Sequence, residues 1–285
     1  MRTVGFYVNK HRSRALELAL ELALIARDAG LGVASADTDT PLDGFITPGA
    51  SLAEADLIVT IGGDGTLLRG VRVAVPLDVP VLGINTGRLG FLTEVDDTEH
   101  LRAHVRDVFD GTFSIEERIA LHASVNGEGA HFALNEVVVR RGSNARMAPY
   151  GLELDGEPIA HIPSDGVLVA TPTGSTAYFL SAGGPIIAPN VEAFGVAALL
   201  PHTFFARPLI VSAASQIVIT CDSETQHATL DLDGAHVADL VPGDRVRIVR
   251  APRPVKFARV GRPEFFMRMH DKLQWGVPIK APPEV

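Results

Sequence analysis

The run Leu57-Ile58-Val59-Thr60-Ile61 passes straight into Gly62-Gly63-Asp64-Gly65-Thr66, and Leu67-Leu68-Arg69 follow at once. A short, almost wholly apolar segment is what a parallel strand covered on both faces requires. A glycine-rich turn behind such a strand lets the chain reverse and open a helix, so this stretch commits its region to an α/β layered fold. Thr3 to Val8 and Val79 to Ile84 read as further strands. Arg12 to Ala29 carries leucines at 16, 18, 20, 22 and 24, alternating as in a strand, yet its length, helix-forming composition and closing Gly30 predict a broadly buried helix. Asp97 to Phe109 predicts another. Residues 1–112 are therefore expected to form a doubly wound α/β domain around a mostly parallel sheet.

The pattern changes after residue 112. Ile115 to Val125, Phe132 to Arg141, Gly151 to Asp155, Val167 to Thr171, Leu209 to Ser212, Ile217 to Cys221, Val246 to Val249 and Val255 to Val260 are strand-like. Asn126-Gly127, Asp155-Gly156, Asp233-Gly234 and Pro242-Gly243-Asp244 supply turns between them. Residues 113–261 are expected to form a mainly β, sandwich-like domain. The tail, 262–285, regains helical composition from Glu264 to Trp275 and is expected to pack back onto the first domain.

Two domains suit 285 residues, and 46% hydrophobic with 21% charged side chains provides a sizeable core. A net charge of -9 repels polyphosphate backbones at long range, which argues against nucleic acid as a partner. A phosphate-bearing ligand must then be met by backbone amides, a few arginines or a metal ion. Cys221 is the one cysteine; it allows no internal disulfide or thiolate cluster, and its apolar flank marks it as core. The N-terminal apolar stretch is too short for a signal peptide. The apolar region Phe194 to Ala214 is interrupted by Pro201, His202, Arg207 and Pro208, so no membrane span is expected. These features predict a soluble, cytoplasmic protein.

Glycines in the Gly62 to Thr66 loop allow close approach to phosphate oxygens, and the following helix N-terminus adds amides and a positive dipole end. Asp64 stands where open α/β sheets bind ligands, at the carboxyl end of a strand. A carboxylate there repels phosphate unless it accepts a proton from an attacking hydroxyl or approaches a metal ion, as kinase chemistry requires. The bland alternative is a tight turn with Asp64 as a helix cap.

Further motifs follow in order: Asn85 to Leu92 (NTGRLGFL), Asn135-Glu136, Asp165-Gly166, Thr171 to Tyr178 (TPTGSTAY) and Gly183-Gly184-Pro185-Ile186. Thr171 to Tyr178 is a polar, tightly turning segment with four hydroxyls and an aromatic ring, suited to a base edge and its face. Asn135-Glu136 interrupts the apolar run Phe132 to Val139, and a polar pair there is costly if buried unless something pairs with it. Together with Gly62 to Thr66, this series resembles the bacterial NAD kinase family over most of the chain, from about Leu57 to the tail.

The resemblance implies that Asp64 accepts the proton of the adenosine 2′-hydroxyl of NAD, with Gly62, Gly63, Gly65 and Thr66 around the phosphates. It implies that Asn135 and Glu136 hold the reacting ribose and that Thr176, Ala177 and Tyr178 frame the adenine. Asp165 would serve the nicotinamide half, from a neighbouring subunit, with Thr173 and Ser181 lining the same cleft. Arg69 and Arg146 suit phosphate contact. ATP or inorganic polyphosphate would be the donor, Mg²⁺ would arrive with the nucleotide, and the protein would be a homodimer or homotetramer. Phe194 to Phe205 is a candidate contact surface or plain core. Two departures stand out: Pro163, with His161 nearby, replaces a basic residue common in the family, and Ala235-His236 follow Asp233-Gly234 where a glutamine is common. A lipid or other small-molecule kinase sharing the loop, and a non-catalytic NAD-binding sensor, are the rival readings. A Rossmann dehydrogenase is excluded by the loop's spacing.

Overall fold

The computed structural model describes residues 1–35, 42, 44–87, 90–93, 95–96, 101–142, 148–203, 206–222, 227–260 and 265–275. Its first elements are β1 (Thr3–Val8), α1 (Ser13–Asp28), β2 (Gly32–Ser35), β3 (Leu57–Gly62), α2 (Asp64–Leu77), β4 (Val81–Asn85), β5 (Val95–Asp96), α3 (Leu101–Phe109) and β6 (Ser114–Arg118). The second region holds β7 (Leu121–Val125), β8 (Glu128–Ala133), β9 (Glu136–Arg141), β10 (Ala148–Leu154), β11 (Glu157–Ser164) and β12 (Gly166–Ala170). After the short α4 (Tyr178–Ser181) come β13 (Ala193–Leu199), β14 (Leu209–Ser212), β15 (Ile217–Cys221), β16 (Ala228–Leu232), β17 (Ala235–Leu240), β18 (Arg245–Arg250), β19 (Val255–Arg259) and α5 (Phe265–Leu273).

The first sheet runs β2-β1-β3-β4-β19-β6, with β5 paired to β4, and is parallel except where β6 meets β19. Strand side chains alternate between faces, and here each parity has its own core. Val4, Phe6, Val8, Val59, Ile61, Leu82 and Ile84 join residues of α1 and α3. Ile58, Val81 and Phe257 join Leu67, Val71 and Ala74 of α2. Helices thus cover both faces, as a doubly wound sheet demands. In α1, Leu18 and Leu22 are buried while Leu24 is 47% exposed, so the alternating leucines wrap a helix rather than marking a strand.

The second domain packs two six-stranded antiparallel sheets, β11-β10-β15-β18-β7-β8 and β14-β13-β12-β9-β16-β17. Tyr150, Ile219 and Ile248 of the first face Val139, Val169, Phe194 and Leu230 of the second in one core, which also takes Cys221. Asn126-Gly127, Asp155-Gly156 and Asp233-Gly234 all have both φ angles positive, the conformation of two-residue hairpin turns.

Two expected segments differ, and for a third the structure selects one of the two alternatives. Ile115 to Val125 is two strands in two different sheets, and β19 lies between β4 and β6, so both ends of residues 113–261 enter the first sheet. Phe132 to Arg141 breaks between β8 and β9 at Leu134-Asn135. The apolar stretch from Phe194 is the interior strand β13, hence core as far as Leu199, while residues 204–205 lie outside the described set. The tail folds back as α5, where Arg268 donates to the Thr93 carbonyl and Lys272 lies over the Phe91 ring. Among the described residues no helix is long and apolar enough to cross a membrane.

Helix α2 is seated on β3 by a missing side chain. A Cβ at Gly70 would lie 2.1 Å from Thr60 Cγ2, and Thr60 is itself buried and bonded to the Leu82 carbonyl. Gly70→Ala is expected to destabilise the chain by about 1–3 kcal/mol in denaturant titration. Thr60→Ser in the same chain should restore most of the loss; no restoration would place the strain elsewhere.

Candidate active site

The Gly62 to Thr66 loop forms as the sequence predicts, with Gly62 ending β3, Gly63 as the N-cap of α2 and Asp64 in its first turn. Gly62 is demanded by packing, since a Cβ there would meet Thr66 Oγ1 at 2.3 Å. Gly63 and Gly65 are not: a Cβ at either meets nothing within 4 Å, and neither has a positive φ. Thr66 is buried, and its amide caps back to the Gly63 carbonyl at 2.9 Å. Arg69 is exposed on α2, and Arg146 lies outside the described residues.

The half-buried Asp64 carboxylate accepts the Phe91 amide at 2.9 Å and the Leu92 amide at 3.3 Å. Gly90 passes so close that a Cβ would fall 1.7 Å from Asp64 Oδ1. Gly90, Phe91 and Leu92, at the end of a motif that had no assigned role, therefore hold this carboxylate.

Asn135 and Glu136 sit at the start of β9 and are 9% and 6% exposed. The reason lies a hundred residues away. Asp233, in the β16–β17 turn, accepts the amides of Leu134, Asn135 and Glu136 at 3.0, 2.7 and 3.2 Å, and returns its own amide to the Glu136 carbonyl. Arg72 of α2 stands 3.8 Å from Asp233 and bonds the Leu232 carbonyl. Burial pushes the Asp233 pKa up against those amides. Asn135 Oδ1 and Glu136 Oε2 are buried with no hydrogen-bond partner among the described residues. Burial, and then the Asp233 charge, raise the Glu136 pKa to about 7, opposed by a bond from the Tyr178 amide.

The Thr171 to Tyr178 segment is fastened to this pair. The Thr171 hydroxyl donates to the Leu134 carbonyl, its amide donates to the Asn135 carbonyl, and Gly174 lies where a Cβ would meet that same carbonyl oxygen at 2.1 Å. Thr176 and Ala177 follow in the turn, half-buried. Tyr178 and Ser181 line a cavity of about 600 Å³ together with Asp165, Arg140 and Arg141. Asp165 is paired with Arg141 at 2.8 Å, and Arg140 with Asp231. Thr173 does not line this cavity: it is buried, and its hydroxyl accepts Arg118 Nη1 at 3.3 Å. Asp64 lies off the lining of this cavity.

At the two departures, the Pro163 carbonyl accepts the His202 amide and exposed His161 pairs with Asp222 at 2.9 Å. His236 stands on β17, 3.3 Å from Asp231. Gly90 to Leu92, Arg140, Arg141 and Asp233 receive no role from the sequence. Asp233 stands out there as a turn signal and as the landmark before Ala235-His236, and its capping role depends on chain pairing that no local pattern encodes.

A carboxyl with a raised pKa keeps its proton in the native state where the unfolded chain has lost it, here between 4.5 and about 7. Its stabilising effect is complete below that window and is lost as pH rises through it. Glu136→Gln should therefore be more stable than the parent near pH 8, by about 3 kcal/mol, with the gap narrowing toward pH 5. Parallel stability–pH curves for the two chains would contradict the buried acid.

Residues 49–113 match the ATP-NAD kinase N-terminal domain and residues 134–260 the ATP-NAD kinase C-terminal domain. NAD kinase of Heliobacterium modesticaldum is 37% identical over 97% of this chain and 100% of its own length. NAD kinase of Nocardia farcinica is 36% identical over 96% of this chain and 91% of its own. Among solved structures, yeast NADH kinase complexed with NADH superposes with a TM-score of 0.86 at 25% identity, covering 99% of this chain and 90% of that one. An NAD kinase from Archaeoglobus fulgidus in complex with ATP gives 0.72 at 28% identity, covering 96% and 99%. These relatives leave the lipid-kinase and sensor readings without support. With both domain models matched in order along the chain, and a relative 37% identical over 97% of it, the chain belongs to the NAD kinase family.

Proposed function

We propose that this NAD kinase transfers a phosphoryl group from ATP to the adenosine 2′-hydroxyl of NAD, with Asp64 accepting the hydroxyl proton. The observation that carries the reading is the pair of buried acceptors, Asn135 Oδ1 and Glu136 Oε2, that meet no donor among the described residues. Buried polar atoms are satisfied as a rule, and an exception points to a missing partner. Ribose hydroxyls are donors of the required kind, and the pair adjoins Tyr178 at the edge of a cavity of about 600 Å³. Gly63 and Gly65 add support: neither the fold's packing nor its φ angles require glycine there, whereas close approach of phosphate oxygens does.

The chemistry follows from these parts. The 2′-oxygen forms a bond to the γ-phosphorus as the bond to the bridging oxygen breaks; the hydroxyl proton passes to Asp64 and ADP leaves. Two amides occupy only part of the Asp64 carboxylate's four acceptor positions, so it can take the hydroxyl proton while they fix its orientation. Loop amides from Gly62 to Thr66, with Arg69 and Arg146, would hold the phosphates. Thr176, Ala177 and Tyr178 would frame the adenine, and Asp165 and Ser181 would serve the nicotinamide half. No group of three or more His, Cys, Asp or Glu gathers among the described residues. One carboxylate beside a phosphate loop fits Mg²⁺ carried on the nucleotide, because that ion keeps its waters and takes few protein ligands. When bound it would neutralise phosphate charge.

The ATP-bound relative supports ATP as donor, and the NADH-bound one a dinucleotide acceptor. A cytoplasmic homo-oligomer accords with the reading. Ile159 on β11 and Leu209 and Ile210 on β14, each at least 42% exposed on edge strands, are suited to a second copy.

NADP formation from NAD, Mg²⁺ and either ATP or polyphosphate tests the function directly. NAD binding without product from either donor would favour a sensor, and absence of NAD binding a different acceptor. Asp64→Asn is expected to bind NAD and to lose about 10²-fold or more in kcat. Gly90→Ala, which sets a methyl against the Asp64 carboxylate, should lower kcat by up to about 10²-fold with NAD affinity retained. Undiminished turnover in that variant would mean that the loop does not position the base.

A further inference from the structure

We infer that Arg268, on the C-terminal helix α5, is a positioning residue for Asp64; the inference rests on the proton-accepting role proposed above. Asp64 is oriented by the amides of Phe91 and Leu92, and Gly90 lies so close to the same carboxylate that a Cβ there would collide with it. What holds the loop is therefore part of the base's geometry. Its next residue, Thr93, is 1% exposed; its hydroxyl accepts the Gly90 amide at 3.3 Å, and its carbonyl accepts Nη1 of Arg268. Lys272 stands 4.9 Å over the Phe91 ring. Positions 268 and 272 are one helical turn apart, so a single face of α5 grips both ends of the segment Phe91 to Thr93.

Arg268 is 8% exposed. Burying a guanidinium costs free energy that an apolar residue would not incur, so a helix that served only to cover the sheet would place a hydrocarbon here. The charge instead makes a charge-assisted bond to a carbonyl one residue beyond the Leu92 amide. Displacements of about 1 Å at a reacting group cost as much as 10²-fold in rate, so a clamp at this distance is well placed to matter for turnover while leaving the cavity around Tyr178 untouched.

The test uses the full chain carrying Arg268→Met or Arg268→Lys, each also combined with Asp64→Asn. Steady-state NADP formation is measured alongside hydrogen exchange of the Phe91 and Leu92 amides. Arg268→Met should lower kcat at least about tenfold while KM for NAD changes less than about threefold. Arg268→Lys should retain more of kcat than Met does, and both amides should exchange faster in the Met variant. On the Asp64→Asn background, Arg268→Met should cost little further, because its effect runs through the carboxylate already removed. The same proportional loss on both backgrounds, with unchanged amide exchange, would overturn the inference, as would an unaltered kcat. If Arg268→Met fails to fold, Lys272→Met carries the same readouts with a smaller expected change. A parent chain that makes no NADP would defeat the kinase reading alone, and the exchange measurement would then decide whether Arg268 holds the loop.

Discussion

A carboxylate buried in a turn, Asp233, gathers three consecutive amides from a chain segment about a hundred residues earlier. Without that capture, Phe132 to Arg141 has every reason to run as one strand, as its composition predicts. With it, the chain breaks at Leu134-Asn135, and Asn135 and Glu136 turn inward as buried acceptors beside the Thr171 to Tyr178 segment. Burial, with the same charge added to it, raises the Glu136 pKa, so Asp233 shapes this segment and contributes to its protonation. Its link to Arg72 on α2 carries this arrangement to the helix that begins at the phosphate loop.

The site repeats one device. Asp64 is fixed by the amides of Phe91 and Leu92 as Asp233 is fixed by those of Leu134 to Glu136. In both cases a carboxylate from one element is held by the peptide backbone of another. Backbone amides are rigid donors that need no side-chain ordering, so they place a charge at less entropic cost than lysine or arginine would. The difference between the two is accessibility. Asp233 is closed in by three amides and burial, while Asp64 stays half-buried with room for a further donor.

Features whose causes are local were legible in the sequence. The strand-to-helix turn at Gly62 to Thr66 follows from four apolar residues and a threonine with the glycines behind them, and α1 follows from length and composition despite its alternating leucines. The hairpin turns at Asn126, Asp155 and Asp233 follow from Asn-Gly and Asp-Gly pairs. Features that depend on distant pairing were not. Nothing near Val255 says that β19 leaves its own domain to lie beside β4, and nothing near Ile119 says that the strand splits between two sheets. The Thr173 hydroxyl turns from the cavity because Arg118, 55 residues earlier, reaches it. Arg140 and Arg141 read as an ordinary strand end, and only the fold brings them to the cavity wall.

The position of β19 has a consequence for how the protein is made. Synthesis runs from the N-terminus, and domains ordinarily fold in that order. Here β5 pairs only the Ile84-Asn85 end of β4, leaving Val81 unpaired on that side, and β6 has no neighbour in the sheet, until a strand ending at Arg259 emerges and inserts between them. The whole second domain lies in the chain between β6 and β19, and the residues of α5 that contact Phe91 and Thr93 come later still. The loop that orients Asp64 is thus written early in the chain and held by contacts that arise late, so a ribosome-bound or truncated chain carries the motif without the contacts that fix it.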